Sequence, residues 1–356
     1  MKNRSIVKKF FAIAAAAALT LSLGACSSGG DQTSQPAQGD QSQAVESTQV
    51  TNDGGTAYNV AIIKQMDHAS LDEIAEAVEK QLDQLARDNK VTIQHHTTSG
   101  QNDPTTLKQL ADQAIADGAD VIIPIATSAA KIAALSAEDT KTPVVFAAVS
   151  YPADENVQLT GLDHVTGTSD ALNTRFIIDL MLAQNPELSK VGLLYSLSED
   201  NSAIPISEAK AYLTEKGIAY TEQTANSNDE AIAAVSALIA DGAEAVFTPT
   251  DNVIQSAELA IYESLIEAGI PHYGGADSFA RNGAFAGCGV NYTLLGSQTA
   301  GLAYDVLTKG MDGMEDYYLL EGGIITINTE TAAALNIDYS VFSDMGTVAE
   351  VQTTED

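Results

Sequence analysis

From Tyr58 onward, short apolar runs alternate along the chain with longer stretches in which apolar residues recur every three or four positions. Residues 60–63 are continuously apolar, whereas residues 71–86 place Ile74, Val78 and Leu82 along one side of a helix. The first pattern predicts a buried strand and the second an amphipathic helix. Strands that are apolar at nearly every position are typical of a parallel sheet covered by helices on both faces. The alternation continues through residues 91–95, 107–116, 121–125, 129–135 and 144–148.

A second series of the same kind begins at residue 191, and it repeats the first. Ala116-Asp117-Gly118-Ala119-Asp120 precedes one strand, and Ala240-Asp241-Gly242-Ala243-Glu244 precedes another at an offset of 124 residues. The repeat predicts two similar lobes that face one another. The second series consists of strands at 191–195, 219–223, 245–248 and 271–273, and helices at 204–215, 231–240 and 257–268.

We therefore expect an α/β fold with two Rossmann-like lobes, each with a parallel sheet. Segments near 154–170, 283–292 and 323–327 are the expected crossings, which makes a hinge of two or three segments. The expected first lobe comprises residues 58–168 and about 283–325, including the crossing segments. The second comprises residues 169–282 and about 326–342, followed by an acidic tail at 343–356.

The amino terminus has the features of an export signal. A basic head that includes Lys2 and Arg4 leads into an apolar run from Phe10 to Leu23, which predicts a signal peptide at 1–25. Residues 26–57 are rich in Ser, Gln, Gly, Asp and Thr, and this composition predicts a flexible tether. The folded part is therefore expected outside the cytoplasm.

Charge and cysteine content narrow the class of protein. The formal charge is −31, and removal of four cations with the signal peptide takes it to about −35. Such a surface repels nucleic acid, so we expect no nucleic-acid partner. The chain has two cysteines, Cys26 and Cys288, and no disulfide is expected. Its five histidines lack the spacing of a metal site or a Ser-His-Asp triad, and no glycine-rich phosphate loop follows the first strand. We expect no metal, no cofactor and no enzymatic activity.

Ligands of such folds bind beyond the carboxyl ends of the parallel strands. In the first lobe, Thr127, Ser128 and Ala129 follow a strand and open a helix. We expect Thr or Ser to occupy the capping position, with backbone N–H groups behind it that bind a carboxylate. Ser150 and Tyr151 follow another strand of this lobe.

The second lobe supplies acidic groups at the equivalent places. Asp251 and Asn252 correspond to Thr127 and Ser128, and Asp277 follows the next strand. Donors on one lobe and carboxylates on the other suit a zwitterion such as an α-amino acid. Four further side chains are candidates for the walls of a pocket: Met66, Tyr151, Tyr195 and Phe279. Their aromatic and thioether groups are expected to favour an apolar or aromatic ligand.

Several local motifs, in order along residues 58–337, resemble substrate-binding lipoproteins of ABC transporters, in the family that includes tryptophan- and tyrosine/phenylalanine-binding members. The resemblance implies the type I periplasmic-binding-protein fold and delivery of the ligand to a membrane permease with a cytoplasmic ATPase. Leu23-Gly24-Ala25-Cys26 resembles a lipobox, which implies lipidation of Cys26, including palmitate, and anchoring to the outer face of the cell membrane. The matching stretches are His68-Ala69-Ser70-Leu71-Asp72, Ile125-Ala126-Thr127-Ser128-Ala129-Ala130, Gly167-Thr168-Ser169-Asp170, Val191-Gly192-Leu193-Leu194-Tyr195-Ser196, Pro249-Thr250-Asp251-Asn252 and Gly289-Val290-Asn291-Tyr292.

The expected function is thus capture of a small ligand, an aromatic or other apolar α-amino acid, by closure of two lobes in a monomeric, membrane-anchored importer component. Two alternatives stay open. The same lobes could report ligand occupancy to a membrane receptor, and the ligand could be another small carboxylate or a nucleoside.

Overall fold

Two sheets, one in each lobe, organise residues 56–354, which are the residues described by this computed structural model. The predicted signal peptide, Cys26 and the tether up to residue 55 lie outside the described residues. Within the described part, no helix combines the length and apolarity needed to cross a bilayer. The α/β fold with two lobes built on parallel strands is confirmed.

The first lobe begins with a regular alternation of strands and helices. Its sheet has six parallel strands in the order β11-β5-β4-β3-β1-β2. The elements of this first pass are β1 (Ala57–Lys64), α1 (Ala69–Asn89), β2 (Thr92–Ser99), α2 (Pro104–Ala116), β3 (Val121–Ile125), α3 (Thr127–Ser136), β4 (Val144–Phe146) and β5 (Val165–Ser169), whereas β11 (Tyr318–Leu319) arrives much later in the chain.

Both faces of this sheet are buried, as the continuous apolar runs predicted. Ile123 packs with α1 in one cluster, and its neighbour Ile122 packs with α2 and α3 in another. Both side chains are fully buried. Because successive residues of a strand point to opposite faces, two apolar clusters require apolar residues at every position.

The second lobe follows the same plan with one antiparallel addition. Its sheet has seven strands in the order β13-β12-β10-β9-β8-β6-β7, and only the β10–β12 pair is antiparallel. The elements are α4 (Thr174–Gln184), β6 (Lys190–Tyr195), α5 (Asp200–Lys216), β7 (Ala219–Thr224), α6 (Asn228–Ala240), β8 (Ala245–Thr248), α7 (Asn252–Glu267), β9 (His272–Gly274), α8 (Asp277–Arg281), β10 (Ala286–Gly289), β12 (Ile324–Asn328), α10 (Thr329–Ala334) and β13 (Thr347–Val351), with a 3₁₀ turn at Ser340–Asp344.

The internal repeat is visible as equivalent turns in the two lobes. Helix α2 ends at Ala116 and α6 at Ala240, and each is followed by a glycine with positive φ, Gly118 at 76° and Gly242 at 75°. A left-handed glycine ends a helix without steric cost and turns the chain back into the next strand. The offset of 124 residues found in the sequence therefore relates one structural unit to its copy.

The chain passes between the lobes three times. It leaves the first sheet after β5, at residues 170–173, and returns after β10, at residues 290–291, to form α9 (Tyr292–Lys309), which packs against α1. It leaves again after β11, at residues 320–323. Three crossing segments form a hinge about which the lobes can close.

The lobe boundaries differ from the expected ones in two places. Residues 283–325 were expected in the first lobe, but β10 pairs with β9 and β12 in the second sheet, so the crossing begins only after Gly289. The expected acidic tail contains β13, which pairs in parallel with β12 along its length. Its half-exposed position at the sheet edge explains the weak apolar signal of Thr347–Val351.

Candidate ligand-binding site

A cavity lies between the two lobes, at the carboxyl ends of the strands. The first lobe lines it with His68, Ser70, Leu71, Ala126, Thr127, Ala148 and Ser150, the second with Asn201, Thr250, Asp251, Asn252, Gln255, Ala276 and Phe279, and the hinge with Asp170 and Tyr292.

The start of α3 forms one wall of the cavity. The residue before the helix is Ala126, with φ of 78°, so the expected capping by Thr or Ser is wrong: neither side chain caps the helix. The N–H of Ser128 instead donates to Oε1 of Gln65 at 3.1 Å. The N–H of Thr127 has no acceptor among the described residues. Thr127, which is buried and lines the cavity, therefore presents a free donor of this helix terminus.

The start of α7 forms the opposite wall and is built around Asp251. Its carboxylate accepts hydrogen bonds from the N–H of Ser196 at 2.7 Å, the hydroxyl of Ser202 at 2.7 Å and the N–H of Ile254 at 3.0 Å. Burial raises the pKa of Asp251. With three donors from its own lobe, Asp251 acts first as a helix cap that ties the β6–α5 loop to α7.

A second buried carboxylate, Asp170, lies at the first hinge crossing. It accepts hydrogen bonds from the hydroxyls of Ser150 at 2.8 Å and Tyr292 at 3.1 Å. Burial raises its pKa, and only 5% of the residue is exposed. Our selection of site residues missed it, although it ends the Gly167–Asp170 motif and follows a strand, the same signal that selected Thr127.

Four side chains connect the lobes beside the cavity. Gln65 of the first lobe donates from Nε2 to Oε1 of Glu199 at 2.7 Å, and Asn252 donates from Nδ2 to Oε2 of Glu199 at 2.7 Å. His68 of the first lobe bonds through Nε2 to Oδ1 of Asn252 at 3.0 Å. Burial, with repulsion from Asp251, raises the pKa of Glu199 to about 8. The network holds the lobes together through two hydrogen bonds between them.

Further contacts between the lobes lie around this network. Arg281 of α8 forms an ion pair with Glu73 of α1 at 2.7 Å, and Lys131 of α3 pairs with Asp200 of α5. The hydroxyls of Ser70 and Ser278 are hydrogen-bonded, and so are those of Ser150 and Thr250, at 3.3 Å. The described arrangement is a closed one.

Four of the predicted site residues line the cavity: Thr127, Ser150, Asp251 and Asn252. They come from both lobes, as the repeat required.

The other six predicted residues do not line the cavity. Ser128 and Ala129 follow Thr127 in α3, and Met66 packs against the apolar cluster that includes the buried face of α1. The Tyr195 hydroxyl donates to Glu222 at 3.1 Å, and Asp277 forms an ion pair with Arg281 at 2.8 Å.

Tyr151 is the sixth of these residues. Its hydroxyl is buried without a hydrogen-bond partner among the described residues. Burial raises its pKa.

Charges around the cavity are of one sign. Two carboxylates, Asp170 and Asp251, line it, whereas no lysine or arginine is among its lining residues. Burial lowers the pKa of His68 to about 4, so this side chain is neutral at pH 7. Within residues 56–354, no group of three His, Cys, Asp or Glu side chains is placed to hold a metal. The cavity therefore favours a ligand with an ammonium group or other hydrogen-bond donors.

Two α/β lobes with a polar cavity between them, joined by three crossing segments, define a two-lobed solute-binding protein. Residues 59–341 match the family described as ABC transporter substrate binding protein, and the chain belongs to that family. The proteins of this family are extracytoplasmic solute-binding proteins rather than enzymes.

Individual relatives are similar over most of the chain. A tyrosine-binding protein of Clostridioides difficile (strain R20291) is 28% identical, and the match covers 84% of this chain and 87% of that one. A Streptococcus pneumoniae ABC domain solved in complex with L-Trp is 27% identical, with a TM-score of 0.73 over 83% of this chain and all of that one. A ligand-free, open substrate-binding protein of Clostridium difficile is 24% identical, with a TM-score of 0.63 over 83% and 100% of the two chains.

Proposed function

We propose that this protein is a lipid-anchored, monomeric component of an ABC importer that binds an α-amino acid, aromatic or otherwise apolar, and delivers it to a membrane permease driven by a cytoplasmic ATPase. The observation that carries the proposal is the cavity between the lobes, which is lined by two buried carboxylates and by the first residue of a helix. Closure of the lobes about the hinge would trap the ligand and create the surface that the permease recognises.

The geometry supports one orientation of the amino-acid backbone. Asp170 has only two hydroxyl donors and retains free lone pairs, so it is the better partner for the ligand ammonium. Asp251, with three protein donors, contributes mainly charge. The ligand carboxylate then lies at the start of α3, where the N–H and hydroxyl of Thr127 and the helix dipole favour an anion.

Apolar walls of the cavity support an aromatic or apolar side chain. Phe279 and Tyr292 are almost fully buried and line the cavity together with Leu71. Phe279 is held in place by an edge-on contact with His272, with ring centroids 5.6 Å apart. Large, rigid aromatic walls contribute favourable contact area to a planar ligand. The two relatives named for tyrosine and for L-Trp point to the same ligand class.

The proposed location follows from the amino terminus. Residues 1–25 would be removed as a signal peptide, Cys26 would carry the lipid, and the residues up to about 57 would tether the lobes to the outer face of the membrane. The exported protein should be recovered in the membrane fraction with a lipid on Cys26, and Cys26→Ser should remove that lipid. Recovery of the unsubstituted protein without a lipid, in the soluble exported fraction, would contradict the proposed anchor.

The ligand is tested by calorimetry and thermal unfolding of the mature protein, with a tag in place of the lipid, against the twenty amino acids and a set of nucleosides. A ligand at one hundred times its Kd stabilises the folded state by about 2.7 kcal/mol. Stabilisation by aromatic amino acids supports the proposal. A response to nucleosides alone would refute it.

Asp170→Asn removes the charge with little change of shape. We expect it to weaken amino-acid binding by about 2–5 kcal/mol, the usual cost of breaking a buried charge pair. Asp139→Asn, at an exposed position outside the cavity, is the matched control and should bind normally. Equal affinities of the two variants would exclude Asp170 as the ammonium partner.

A further inference from the structure

Three side chains that line the cavity carry buried polar atoms with no hydrogen-bond partner among the described residues. They are Nδ1 of His68, Oδ1 of Asn201 and both amide atoms of Gln255. Asn201 and Gln255 are 5% and 4% exposed, so solvent does not satisfy them. A buried polar atom without a partner is costly, and native proteins retain few of them. Their common position at one cavity points to groups on the ligand.

The network between the lobes fixes the hydrogen-bonding character of His68. Asn252 donates from Nδ2 to Glu199, so its Oδ1 faces His68 and must accept a hydrogen bond from Nε2. Nε2 therefore carries the imidazole proton. Because burial lowers the pKa of His68 to about 4, the ring is neutral and Nδ1 is a bare acceptor at pH 7.

Asn201 adds a second acceptor of fixed orientation. Its Nδ2 donates to the backbone oxygen of Thr250, which leaves Oδ1 directed away from that bond and unpaired. Gln255 lies one turn into α7, after Asn252 at its first position, and its amide oxygen can supply a third acceptor. All three side chains are connected to the start of α7: His68 bonds to Asn252, Asn201 bonds to Thr250, and Gln255 belongs to the helix itself.

We propose that this acceptor cluster, His68 with Asn201 and Gln255, selects a ligand whose side chain carries an O–H or N–H donor, and that Nδ1 of His68 accepts that hydrogen bond. The inference rests on the proposed amino-acid function, in which Asp170 and Thr127 bind the backbone groups of the ligand. It places a phenol or an indole N–H ahead of a plain hydrocarbon side chain. A site that offers unpaired acceptors discriminates strongly against an analogue without the donor.

Two substitutions of His68 separate its two roles. The amide of a glutamine reaches the position of Nε2, so His68→Gln retains a donor to Asn252 and removes the acceptor at Nδ1. The shorter amide of an asparagine reaches the position of Nδ1, so His68→Asn retains an acceptor there and loses the bond to Asn252. The unfolding temperature without ligand shows that each variant is folded before binding is measured.

The experiment compares ligands that differ only in the donor: L-tyrosine with L-phenylalanine, and L-tryptophan with its benzothiophene analogue, in which sulfur replaces the N–H. In the unsubstituted protein, we expect at least one donor-bearing ligand to bind about 10- to 100-fold more tightly than its partner. His68→Gln should reduce that ratio to below about threefold, whereas His68→Asn should keep it and weaken both ligands alike.

Equal affinities within both pairs, or an unchanged ratio in His68→Gln, would overturn the inference and leave the amino-acid function standing. Equal affinities would mean that the acceptors bind the ammonium group instead. Absence of binding by every amino acid in the panel would overturn the proposed function and the inference with it.

Discussion

Ionisation of Glu199 should destabilise the folded protein as the pH rises through the neutral range. Its carboxyl group is fully buried, and its pKa is raised from 4.5 to about 8 by burial and by the charge of Asp251. A carboxyl group with a raised pKa binds a proton more tightly in the folded than in the unfolded state. Its contribution to stability is therefore complete below pH 4.5 and is lost as the pH approaches 8.

His68 acts in the opposite direction at lower pH. Its pKa is lowered from 6.5 to about 4, so its contribution to stability increases with pH between these two values. The clear interval for Glu199 therefore lies between pH 6.5 and about 8, where His68 is neutral in the folded state and at most half protonated in the unfolded state. At about 1.4 kcal/mol for each pKa unit, Glu199 should remove about 2 kcal/mol over this interval. For a folded part of roughly 300 residues, the unfolding temperature should fall by about 3 °C.

Glu199→Gln provides the comparison, since a glutamine cannot ionise. Thermal unfolding of both proteins at half-unit steps from pH 6.5 to 8.5 should show the fall in the original protein and a flatter profile in the variant. Parallel profiles would refute the assignment, because the pH dependence would then come from other groups.

Gly167→Ala should destabilise the first lobe by about 3 kcal/mol in denaturant unfolding, because a Cβ there would lie 2.2 Å from the backbone oxygen of Phe146. Gly301→Ala, in the middle of α9 with no atom within 4 Å of the new Cβ, should instead stabilise by about 0.5–1 kcal/mol, and the reverse order would contradict this packing. Cys288 is buried in β10 and burial raises its pKa to about 12, so we expect a thiol reagent to modify it only after unfolding; rapid modification of the folded protein would disprove its burial. Arg281→Gln removes an ion pair between the lobes and should weaken ligand binding about two- to fivefold by calorimetry, whereas unchanged affinity would show that the pair does not favour closure.

Much of the fold could be predicted because the strands and helices are specified by patterns of neighbouring residues. Apolar runs in the two sheets and the repeated Ala-Asp-Gly-Ala turns specify strands and helices without reference to distant residues. Strand β13 was missed because an edge strand is half exposed and its alternation of Thr347, Ala349 and Glu350 with two valines resembles a solvated tail. The segment that forms β10 was assigned to the first lobe for another reason. In the structure, Gly287 and Gly289 pack against the backbone near Gly275 and Ala276 of the second lobe, and sequence alone does not reveal this proximity.

The candidate site was predictable only in part. Position after a strand selected Thr127 and Asp251, which line the cavity, yet the same rule selected Tyr195, whose hydroxyl donates to Glu222. Whether a carboxylate is already satisfied depends on donors from other loops. For this reason the sequence did not distinguish Asp251, with its three protein donors, from the less saturated Asp170. Residues that line the cavity from within helices, such as Gln255, carry no positional signal at all.

The direct contacts between the lobes also affect the rate at which a ligand can bind. Three contacts between the lobes involve protein groups alone: Arg281 with Glu73, Lys131 with Asp200, and Gln65 with Glu199. They therefore favour the closed conformation whether or not a ligand is bound. A ligand can enter only while the lobes are open. Each tenfold reduction in the fraction of molecules that are open lowers the observed association rate tenfold. The same bonds slow escape. Slow capture and slow escape together favour long retention of a bound ligand over rapid exchange.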